Sequence, residues 1–256
     1  FREALSHGII IAAQSEQDAQ RFRDLGAAPA RTFVTGNIKF DVEIDESLAA
    51  RGREFAAERF PGRSVWIAAS THAGEEEIVL AAHRRLLAAV PDALLVLVPR
   101  HPERFPAVAE MIREQGLDYV SRTGGERCSA ETRVFLGDTM GELPLFYAAS
   151  DIAFVAGSLV PIGGHNLLEP ASLGLPILTG PHLFNAEDIA AMFADQGASR
   201  VVADEAELAA ALEGLFADET GRREMGERAR RLLLDNRGSL RSLLELLEPL
   251  TRRFNG

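Results

Sequence analysis

The chain has 256 residues, of which 46% are hydrophobic and 25% are charged. These proportions are typical of one large folded domain, or of a domain plus a fragment, and they exclude intrinsic disorder and fibrous repeats. Lys and Arg number 27 against 38 Asp and Glu, so the net charge of −11 makes nucleic acid a poor partner. The single cysteine, Cys128, excludes an internal disulfide, and no apolar run reaches the roughly 20 residues that span a bilayer.

The first 60 residues are organised differently from the rest. The sequence starts at Phe1 without an initiator Met or a signal-peptide pattern, so we expect a cytosolic domain whose beginning lies outside this sequence. Ser15–Asp18 has the spacing of a capping box and predicts a helix that ends near Gly26, followed by a short strand at Thr32–Thr35. The predicted divisions are residues 1–40, the tail of a preceding domain or a hinge; residues 41–61, a linker and helix; and residues 62–256, a complete domain.

Short β-branched apolar runs alternate with helical patterns along most of the chain. Apolar residues recur at helical spacing in Phe105–Ile112, Leu208–Leu215 and Leu240–Leu247. Buried strands are predicted at Ile9–Ala12, Val65–Ala69, Leu94–Val98, Val134–Leu136, Ile152–Val155 and Ile177–Leu178. Because strands that alternate with helices form right-handed crossovers, we predict an α/β fold with a Rossmann-like, doubly wound parallel sheet.

Polar residues and glycines follow five consecutive predicted strands at the point where each strand ends. In an open parallel sheet, ligands bind outside the carboxyl ends of the strands, so we expect a ligand site there. The segments are Ser70–Glu75, Pro99–Arg104, Gly137–Glu142, Ala156–Ser158 continuing to Gly163–Glu169, and Thr179–His182 with Asn185 beyond it.

The residue types at these strand ends suit a nucleotide. Each loop opens a helix whose free N–H groups attract an anion, and Arg100 adds a planar charged fork for phosphate. The carboxylates of Glu142 and Glu169 would repel phosphate, but they accept hydrogen bonds from ribose hydroxyls or an exocyclic amino group. Further donors are available from three histidines, His72, His101 and His165.

Six motifs occur in a fixed order along this part of the chain. They are Thr35–Asp41, Ser70–His72, Pro99–Phe105, Gly137–Leu143, Gly164–Glu169 and Gly180–Asn185. Together, with their spacing intact from about Ala13 to Val202, they resemble the C-terminal half of the 3-deoxy-D-manno-octulosonic acid (Kdo) transferases. No single motif is decisive, whereas the ordered set is highly specific.

The resemblance implies the C-terminal domain of a GT-B glycosyltransferase, in which two Rossmann-like domains face each other across a cleft. Such an enzyme transfers Kdo from CMP-Kdo to a lipid A precursor in lipopolysaccharide biosynthesis, at the cytoplasmic face of the bacterial inner membrane. The resemblance assigns CMP-Kdo binding to Pro99, Arg100, Met140, Gly141, Glu142, Asn166, Leu167, Leu168 and Glu169. Supporting positions around this site are Ser70, Thr71, His72, His101, Gly163, Gly164 and His165.

The implied mechanism is direct displacement at the anomeric carbon of Kdo. In the family, a Glu of the N-terminal domain deprotonates the acceptor hydroxyl, and we expect that domain and its membrane-associating segment to be almost wholly outside this sequence. No residue of this chain is therefore assigned as catalytic, and we expect the chain alone to bind the donor without transferring Kdo. Since Arg100 and helix-end N–H groups suffice to hold the phosphate of departing CMP, we expect neither a metal nor another cofactor.

Ordinary structural roles are also open for several residues. Thr139–Glu142 and Asn166–Glu169 have capping-box spacing, which alone favours capping roles for both glutamates, and the resemblance reverses that preference. We expect Arg104 on a solvated helix start, Cys128 in a hydrophilic surface loop without a function, and His83 in a structural role within a helix. The histidines lack the HxxxH and HxH spacings of metal sites, although a cluster in space stays open.

Two other functions remain open. One is a GT-B enzyme that uses a UDP-sugar, and the other is a non-catalytic nucleotide- or anion-binding module. The GxGxxG, GxxxxGK[ST] and GxSxG motifs do not occur, which argues against NAD-linked chemistry, P-loop hydrolysis and an α/β-hydrolase. The leucine stripe from Leu240 to Leu250 is expected to be partly exposed, because the last helices of GT-B enzymes often cross to the other domain.

Overall fold

The computed structural model describes residue 5, residues 9–43 and residues 45–252, with only the backbone of residues 250–252. The described residues form two compact units. One comprises those of the segments 1–43 and 233–256, and the other those of 44–232. The boundaries predicted after residues 40 and 61 stay predictions.

The helices and strands follow one another closely along the chain. In order they are β1 (Ile11–Ala13), α1 (Glu16–Asp24), β2 (Thr32–Val34), α2 (Leu48–Arg59), β3 (Ser64–Thr71), α3 (Glu76–Leu86), β4 (Ala93–Pro99), α4 (Phe105–Glu114), β5 (Tyr119–Ser121), β6 (Val134–Leu136), α5 (Leu143–Ala148), β7 (Ile152–Val155), α6 (Leu168–Ser172), β8 (Ile177–Thr179), α7 (Glu187–Asp195), β9 (Ser199–Val201), α8 (Glu205–Ala217), α9 (Glu219–Asp235) and α10 (Ser239–Arg252).

The larger unit is built on a parallel sheet of seven strands in the order β5-β6-β4-β3-β7-β8-β9. The chain runs from β3 outward through β4 to β5 and β6, and then crosses to β7 on the other side of β3. The direction of winding therefore reverses at β3. In doubly wound sheets, the crevice beside the carboxyl ends of the strands at such a switch point is where ligands bind.

Both faces of this sheet are covered, as its sequence pattern predicts. Trp66 and Ala68 of β3 belong to one core cluster, and Ile67 and Ala69 belong to the other. The first cluster includes apolar side chains of α3, α4 and α8, and the second includes side chains of α5. Because alternate residues of β3 enter two separate cores, the strand is apolar throughout rather than alternately polar. The predicted doubly wound sheet is confirmed.

Most predicted elements are present, with bounds displaced by no more than two residues at strand ends. The helix start predicted at Ser15 is confirmed, because the hydroxyl oxygen of Ser15 accepts the backbone N–H of Asp18 at 3.1 Å. The full capping box is not formed, since the carboxylate of Asp18 accepts the hydroxyl of Ser15 at 2.9 Å. The short edge strands β5 and β9 are not predicted by the sequence pattern. The expectation for Cys128 is wrong in one respect, since its side chain is buried and burial raises the pKa of the thiol to about 11.

Two further expectations concern helices. His83 of α3 is fully buried, accepts the indole N–H of Trp66 at 3.1 Å and lies 2.8 Å from the carbonyl oxygen of Arg133, which confirms a structural role. On α10, Leu240, Leu244 and Leu247 are 46%, 57% and 40% exposed, so the leucine stripe is partly exposed as predicted. Within the described residues, every helix is too short or too polar to cross a bilayer.

Candidate functional site

The carboxyl ends of β3 and β4 and the loops after β6 and β7 border one pocket of the larger unit. Its volume is about 280 Å³, near the lower limit for small-molecule sites. Its lining residues are Ser70, Val98, Pro99, Arg100, Thr139, Met140, Gly141, Leu143, Tyr147, His165, Asn166 and Glu169. The pocket thus lies at the switch point of the sheet, where the sequence predicts a ligand.

The structure brings most of the predicted donor-binding residues to this pocket. Those that line it are Pro99, Arg100, Met140, Gly141, Asn166 and Glu169, together with the supporting positions Ser70 and His165. Leu167 and Leu168 are both buried, and neither they nor Glu142 line the pocket. The supporting positions that do not line it are Thr71, His72, His101, Gly163 and Gly164. Direct ligand contact stays a prediction for all of these residues.

Arg100 follows the last residue of β4 and is exposed. Its backbone N–H donates to the carbonyl oxygen of Thr71 at 3.0 Å, which fixes the start of this loop against the end of β3. Among the described residues, the guanidinium of Arg100 has no carboxylate partner. Its charge is therefore available to an anion in the pocket.

The neighbouring Arg104 has a different role from the one predicted. Rather than lying on a solvated helix start, its guanidinium donates from Nε and Nη2 to the two carboxylate oxygens of Glu76, each at 3.0 Å. The side chain of Glu76 is completely buried, and burial raises its pKa while Arg104 opposes that shift. Arg104 therefore neutralises a buried carboxylate, which leaves Arg100 as the arginine that lines the pocket.

The carboxylate of Glu142 is engaged by protein groups. Arg122 donates to it from Nη2 at 2.7 Å and from Nε at 3.0 Å, and the hydroxyl of Thr139 donates at 2.6 Å. The hydrogen bond from Arg122 is the main reason that the pKa of Glu142 is lowered. The capping-box interpretation is wrong here, because the side chain of Glu142 accepts from side chains and makes no capping bond at the start of α5. Glu142 instead shapes the loop that presents Met140 and Gly141.

Asn166 and Glu169 form a second polar pair at the start of α6. The side-chain oxygen of Asn166 accepts the backbone N–H of Leu168 at 3.0 Å, and its amide nitrogen donates to Glu169 at 3.1 Å. The capping box predicted from their spacing is therefore wrong as well, since Glu169 binds the side-chain amide of Asn166. This bond orients a carboxylate at the pocket wall.

Ser70 carries the backbone strain of the site. Its φ is +62°, in the left-handed region that residues with a side chain rarely adopt, and the pairing of β3 with β4 slips between Ala69 and Thr71. Strain of this kind persists where the surrounding structure holds it, and it is common at binding sites. The bulge places Ser70 in the pocket wall.

Three histidines meet beside the pocket, as strand-end loops of a parallel sheet allow. The Nε2 atoms of His72 and His165 are 2.8 Å apart and their ring planes are within 9° of parallel, while His101 contacts the ring of His72 edge-on. Burial is the main cause that lowers the pKa of both His72 and His165, the latter to about 4. In the described part of the chain, no group of three or more His, Cys, Asp or Glu is arranged to hold a metal ion.

Gly163 and Gly164 shape the loop that carries His165. Both have positive φ values, and the backbone N–H of Gly164 donates to the carbonyl oxygen of Gly157 at 2.8 Å. The carbonyl oxygen of Gly163 accepts the N–H of Asn185 at 3.1 Å, which attaches the loop to the segment after β8. These glycines therefore act on the site through the path of the backbone.

The sequence pattern indicates no particular role for Glu75, whereas in the structure its carboxylate holds the loop after β7 in place. Its carboxylate is fully buried and accepts the backbone N–H groups of Gly157, Ser158 and Leu159 at 2.7, 3.0 and 2.9 Å. A carboxylate in a strand-end loop suggests a functional role. The partners of Glu75 cannot be predicted from the sequence, because they lie more than 80 residues away along the chain. The loop after β7 is thereby fixed to the loop after β3.

Two family models match the chain. The model of the 3-deoxy-D-manno-octulosonic-acid transferase (kdotransferase) family matches residues 1–42, and that of the glycosyl transferases group 1 matches residues 66–232. The second match includes the pocket and all of its lining residues.

Similar proteins support the same family. The chain is 42% identical over 245 residues to the 3-deoxy-D-manno-octulosonic acid transferase of Haemophilus influenzae, which covers 95% of this chain and 57% of that relative. The crystal structure of the C-terminal CMP-Kdo binding domain of WaaA from Acinetobacter baumannii is 34% identical, with a TM-score of 0.68 over 77% of this chain and 99% of that chain. A structure of Anabaena HepE in complex with UDP and glucose is 15% identical, with a TM-score of 0.58 over 94% of this chain and 62% of that chain, and shows the fold alone. The chain thus belongs to the Kdo transferase family and has the fold of the C-terminal domain of a GT-B glycosyltransferase.

Proposed function

We propose that the pocket binds the cytidylate part of CMP-Kdo and that this chain supplies the donor site of a Kdo transferase. The observation that carries the proposal is the guanidinium of Arg100. It lines a pocket at the switch point of the sheet, and no carboxylate of the described residues neutralises it. A free, permanent positive charge at this place suits a phosphate group.

The other lining residues suit the remaining parts of a nucleotide. The carboxylate of Glu169 accepts hydrogen bonds from ribose hydroxyls or from an amino group of the base, and Asn166 holds it in place. Met140 is 59% exposed at the rim and offers an adaptable apolar surface to a base. The family relation supports CMP-Kdo as the donor, because the Acinetobacter baumannii domain, of which this chain covers 99%, is described as CMP-Kdo binding.

Transfer would proceed by direct displacement. The oxygen of an acceptor hydroxyl forms a bond to the anomeric carbon of Kdo, the bond from that carbon to the phosphate oxygen breaks, and the electron pair stays on cytidylate. Arg100 stabilises the negative charge that develops on the phosphate. The proton of the acceptor hydroxyl goes to a general base, which we place outside this chain. The chain spans 57% of the length of its Haemophilus influenzae relative, so this step is proposed for the whole protein.

The acceptor and the place of the reaction belong to the same proposal. The acceptor is a lipid A precursor, and the enzyme works at the cytoplasmic face of the bacterial inner membrane. This chain alone binds CMP-Kdo without transferring Kdo. Fusion to the N-terminal part of the Haemophilus influenzae relative should restore transfer, whereas transfer by the chain alone would overturn the assignment of the base. A fusion that binds CMP without transfer would favour a non-catalytic module.

Calorimetric titration with CMP and with UMP tests the donor assignment. The two nucleotides differ in the base, where only cytosine presents an exocyclic amino group to an acceptor such as Glu169. We expect CMP to bind at least about tenfold more tightly than UMP, a free-energy difference of about 1.4 kcal/mol. Tighter binding of UMP would contradict the proposal and favour a UDP-sugar donor. Addition of EDTA should leave CMP affinity unchanged.

A further inference from the structure

The contact between His72 and His165 joins the loops after β3 and β7. Their Nε2 atoms are 2.8 Å apart, and the ring planes are within 9° of parallel. His165 lines the pocket together with Arg100, and His72 is not among the lining residues. The pair therefore places titratable groups within reach of an anion that Arg100 binds.

The proton count of this pair follows from its geometry. A hydrogen bond between two ring nitrogens needs one proton, so one Nε2 donates and the other accepts. In the neutral pair, the accepting ring carries its own proton on Nδ1, and the donating ring has a bare Nδ1. One further proton can therefore be added at that bare nitrogen without breaking the bond between the rings.

The charges around the pair keep it neutral without a ligand. Burial lowers the pKa of both imidazoles, and the charge of Arg100 lowers them further. The charged and titratable groups that face the pair are Arg100, His101 and Arg104 from the segment between β4 and α4, Glu75 and Glu76 at the start of α3, and Glu169 across the pocket on α6. An anion bound at Arg100 would offset the positive charges and favour protonation.

We propose that the His72–His165 pair takes up one proton when the anionic group of the donor occupies the pocket, and so supplies a second positive charge beside Arg100. The proton comes from the solvent and is released when the nucleotide leaves. This inference rests on the proposed function and adds to it a pair of residues whose charge depends on ligand binding.

The surrounding structure holds the pair in one arrangement. Gly157 contacts the ring of His165 so closely that a methyl group there would lie 2.9 Å from it. The carboxylate of Glu75 accepts the backbone N–H of Gly157 at 2.7 Å and that of His72 at 3.4 Å. Proton uptake thus needs no rearrangement of the loops.

Nuclear magnetic resonance of the histidine rings tests the proposal in the unmodified chain. The imidazole resonances are titrated with pH in the free protein and with saturating CMP, and those of His165 are identified by their loss in His165→Gln. Because the pKa of His165 is about 4 in the free chain, we expect the titration midpoint of the pair to rise by at least about two pH units with CMP, about a hundredfold change in proton affinity.

The outcomes separate this inference from the proposed function. Unchanged imidazole midpoints with CMP-induced shifts elsewhere in the pocket would overturn the proton uptake and leave the donor site standing. No CMP-induced shift anywhere would overturn both.

A second measurement compares CMP affinity from pH 5 to pH 8 in the wild type and in His165→Gln, which keeps a polar side chain but does not titrate. The ionisation of CMP itself contributes equally to both. We expect the wild-type affinity relative to that of the variant to increase as the pH falls, by up to about tenfold per pH unit. Parallel pH profiles would contradict the inference.

Discussion

The carboxylate of Glu75 accepts the backbone N–H of Gly157 in a hydrogen bond of 2.7 Å. The next two N–H groups, of Ser158 and Leu159, point to the same carboxylate. Three successive N–H groups of this kind form a concave site that attracts anions. The carboxylate of Glu75 already occupies this concave site. The phosphate that we propose for the pocket must therefore be neutralised by other groups, and Arg100 at the pocket wall is the available one.

Glu75→Gln tests this support. The amide presents one acceptor oxygen and an NH₂ group that cannot accept, so we expect the free energy of unfolding to fall by about 2 kcal/mol. CMP affinity should fall as well, since the loop that carries His165 and Asn166 is loosened. Urea unfolding and calorimetry measure the two effects. The exposed neighbour Glu77→Gln is the matched control, and equal behaviour of the two variants would contradict the role of Glu75.

Arg104→Gln is expected to destabilise the fold through Glu76. The substitution leaves a completely buried carboxylate without its cation. We expect a loss of about 2–3 kcal/mol, below the range for fully buried pairs because Arg104 is partly exposed. The double variant with Glu76→Gln should recover part of this loss in urea unfolding. If the losses in the free energy of unfolding of Arg104→Gln and Glu76→Gln simply added up in the double variant, the two side chains would not be coupled.

Ser70→Gly should relieve the strain at the end of β3. Glycine adopts a φ of +62° freely, so we expect the free energy of unfolding to stay constant or to rise by up to about 1 kcal/mol. Ser199→Gly in edge strand β9 is the control, because Ser199 is equally buried and its φ is not positive. There glycine should lower stability by about 0.5–1 kcal/mol. Equal losses in thermal or urea unfolding would show that Ser70 is not strained.

The stability of the chain should fall as the pH drops from 6.5. Burial lowers the pKa of His83 to about 3 and that of His165 to about 4, and it also lowers that of His72. Below pH 6.5 these histidines are protonated in the unfolded chain but stay neutral in the folded chain. Lowering the pH therefore favours unfolding until the pH reaches the pKa values of the folded chain. Each such histidine contributes a slope of roughly 1.4 kcal/mol per pH unit.

Urea unfolding between pH 5 and pH 6.5 measures this slope, with the fluorescence of Trp66, the single tryptophan, as the probe. In His165→Gln one fewer proton is taken up on unfolding, so the free energy of unfolding should depend less steeply on pH, by up to about 1.4 kcal/mol per pH unit. An equal slope in the wild type and in His165→Gln would contradict the burial of a neutral His165.

The sequence predicts at which edge of the sheet the functional residues lie, but not which side chains form hydrogen bonds or ion pairs with each other. Pro99, Arg100 and Asn166 come directly after strands or in strand-end loops, and the order of strands in a doubly wound sheet brings such loops together. The edge strands β5 and β9 escape prediction because each has only three residues and contains polar ones, such as Ser121 in β5 and Arg200 in β9. Neither strand therefore forms an apolar run. The pattern along the chain thus determines the sheet and the edge at which the pocket forms.

The pairings escape prediction because they join distant segments. Arg122 lies in the loop after β5 and binds Glu142 in the loop after β6. Arg104 follows β4 and binds Glu76 at the start of α3. Capping-box spacing predicts contacts within one helix turn, and at Glu142 a guanidinium nearby competes successfully for the carboxylate. Spacing describes one element, whereas these contacts depend on how two loops approach each other.

Calorimetric titration of the chain with CMP, in the wild type and in Arg100→Ala, tests the central claim most directly. The exposed Arg53, in α2 and outside the pocket lining, provides the matched control Arg53→Ala. Loss of a charge-assisted bond to phosphate should weaken CMP binding by about 1.5–3 kcal/mol in Arg100→Ala, at least tenfold, and leave Arg53→Ala unchanged. CMP binding to Arg100→Ala as tight as to the wild type, or no binding to the wild type, would contradict a donor site built around Arg100.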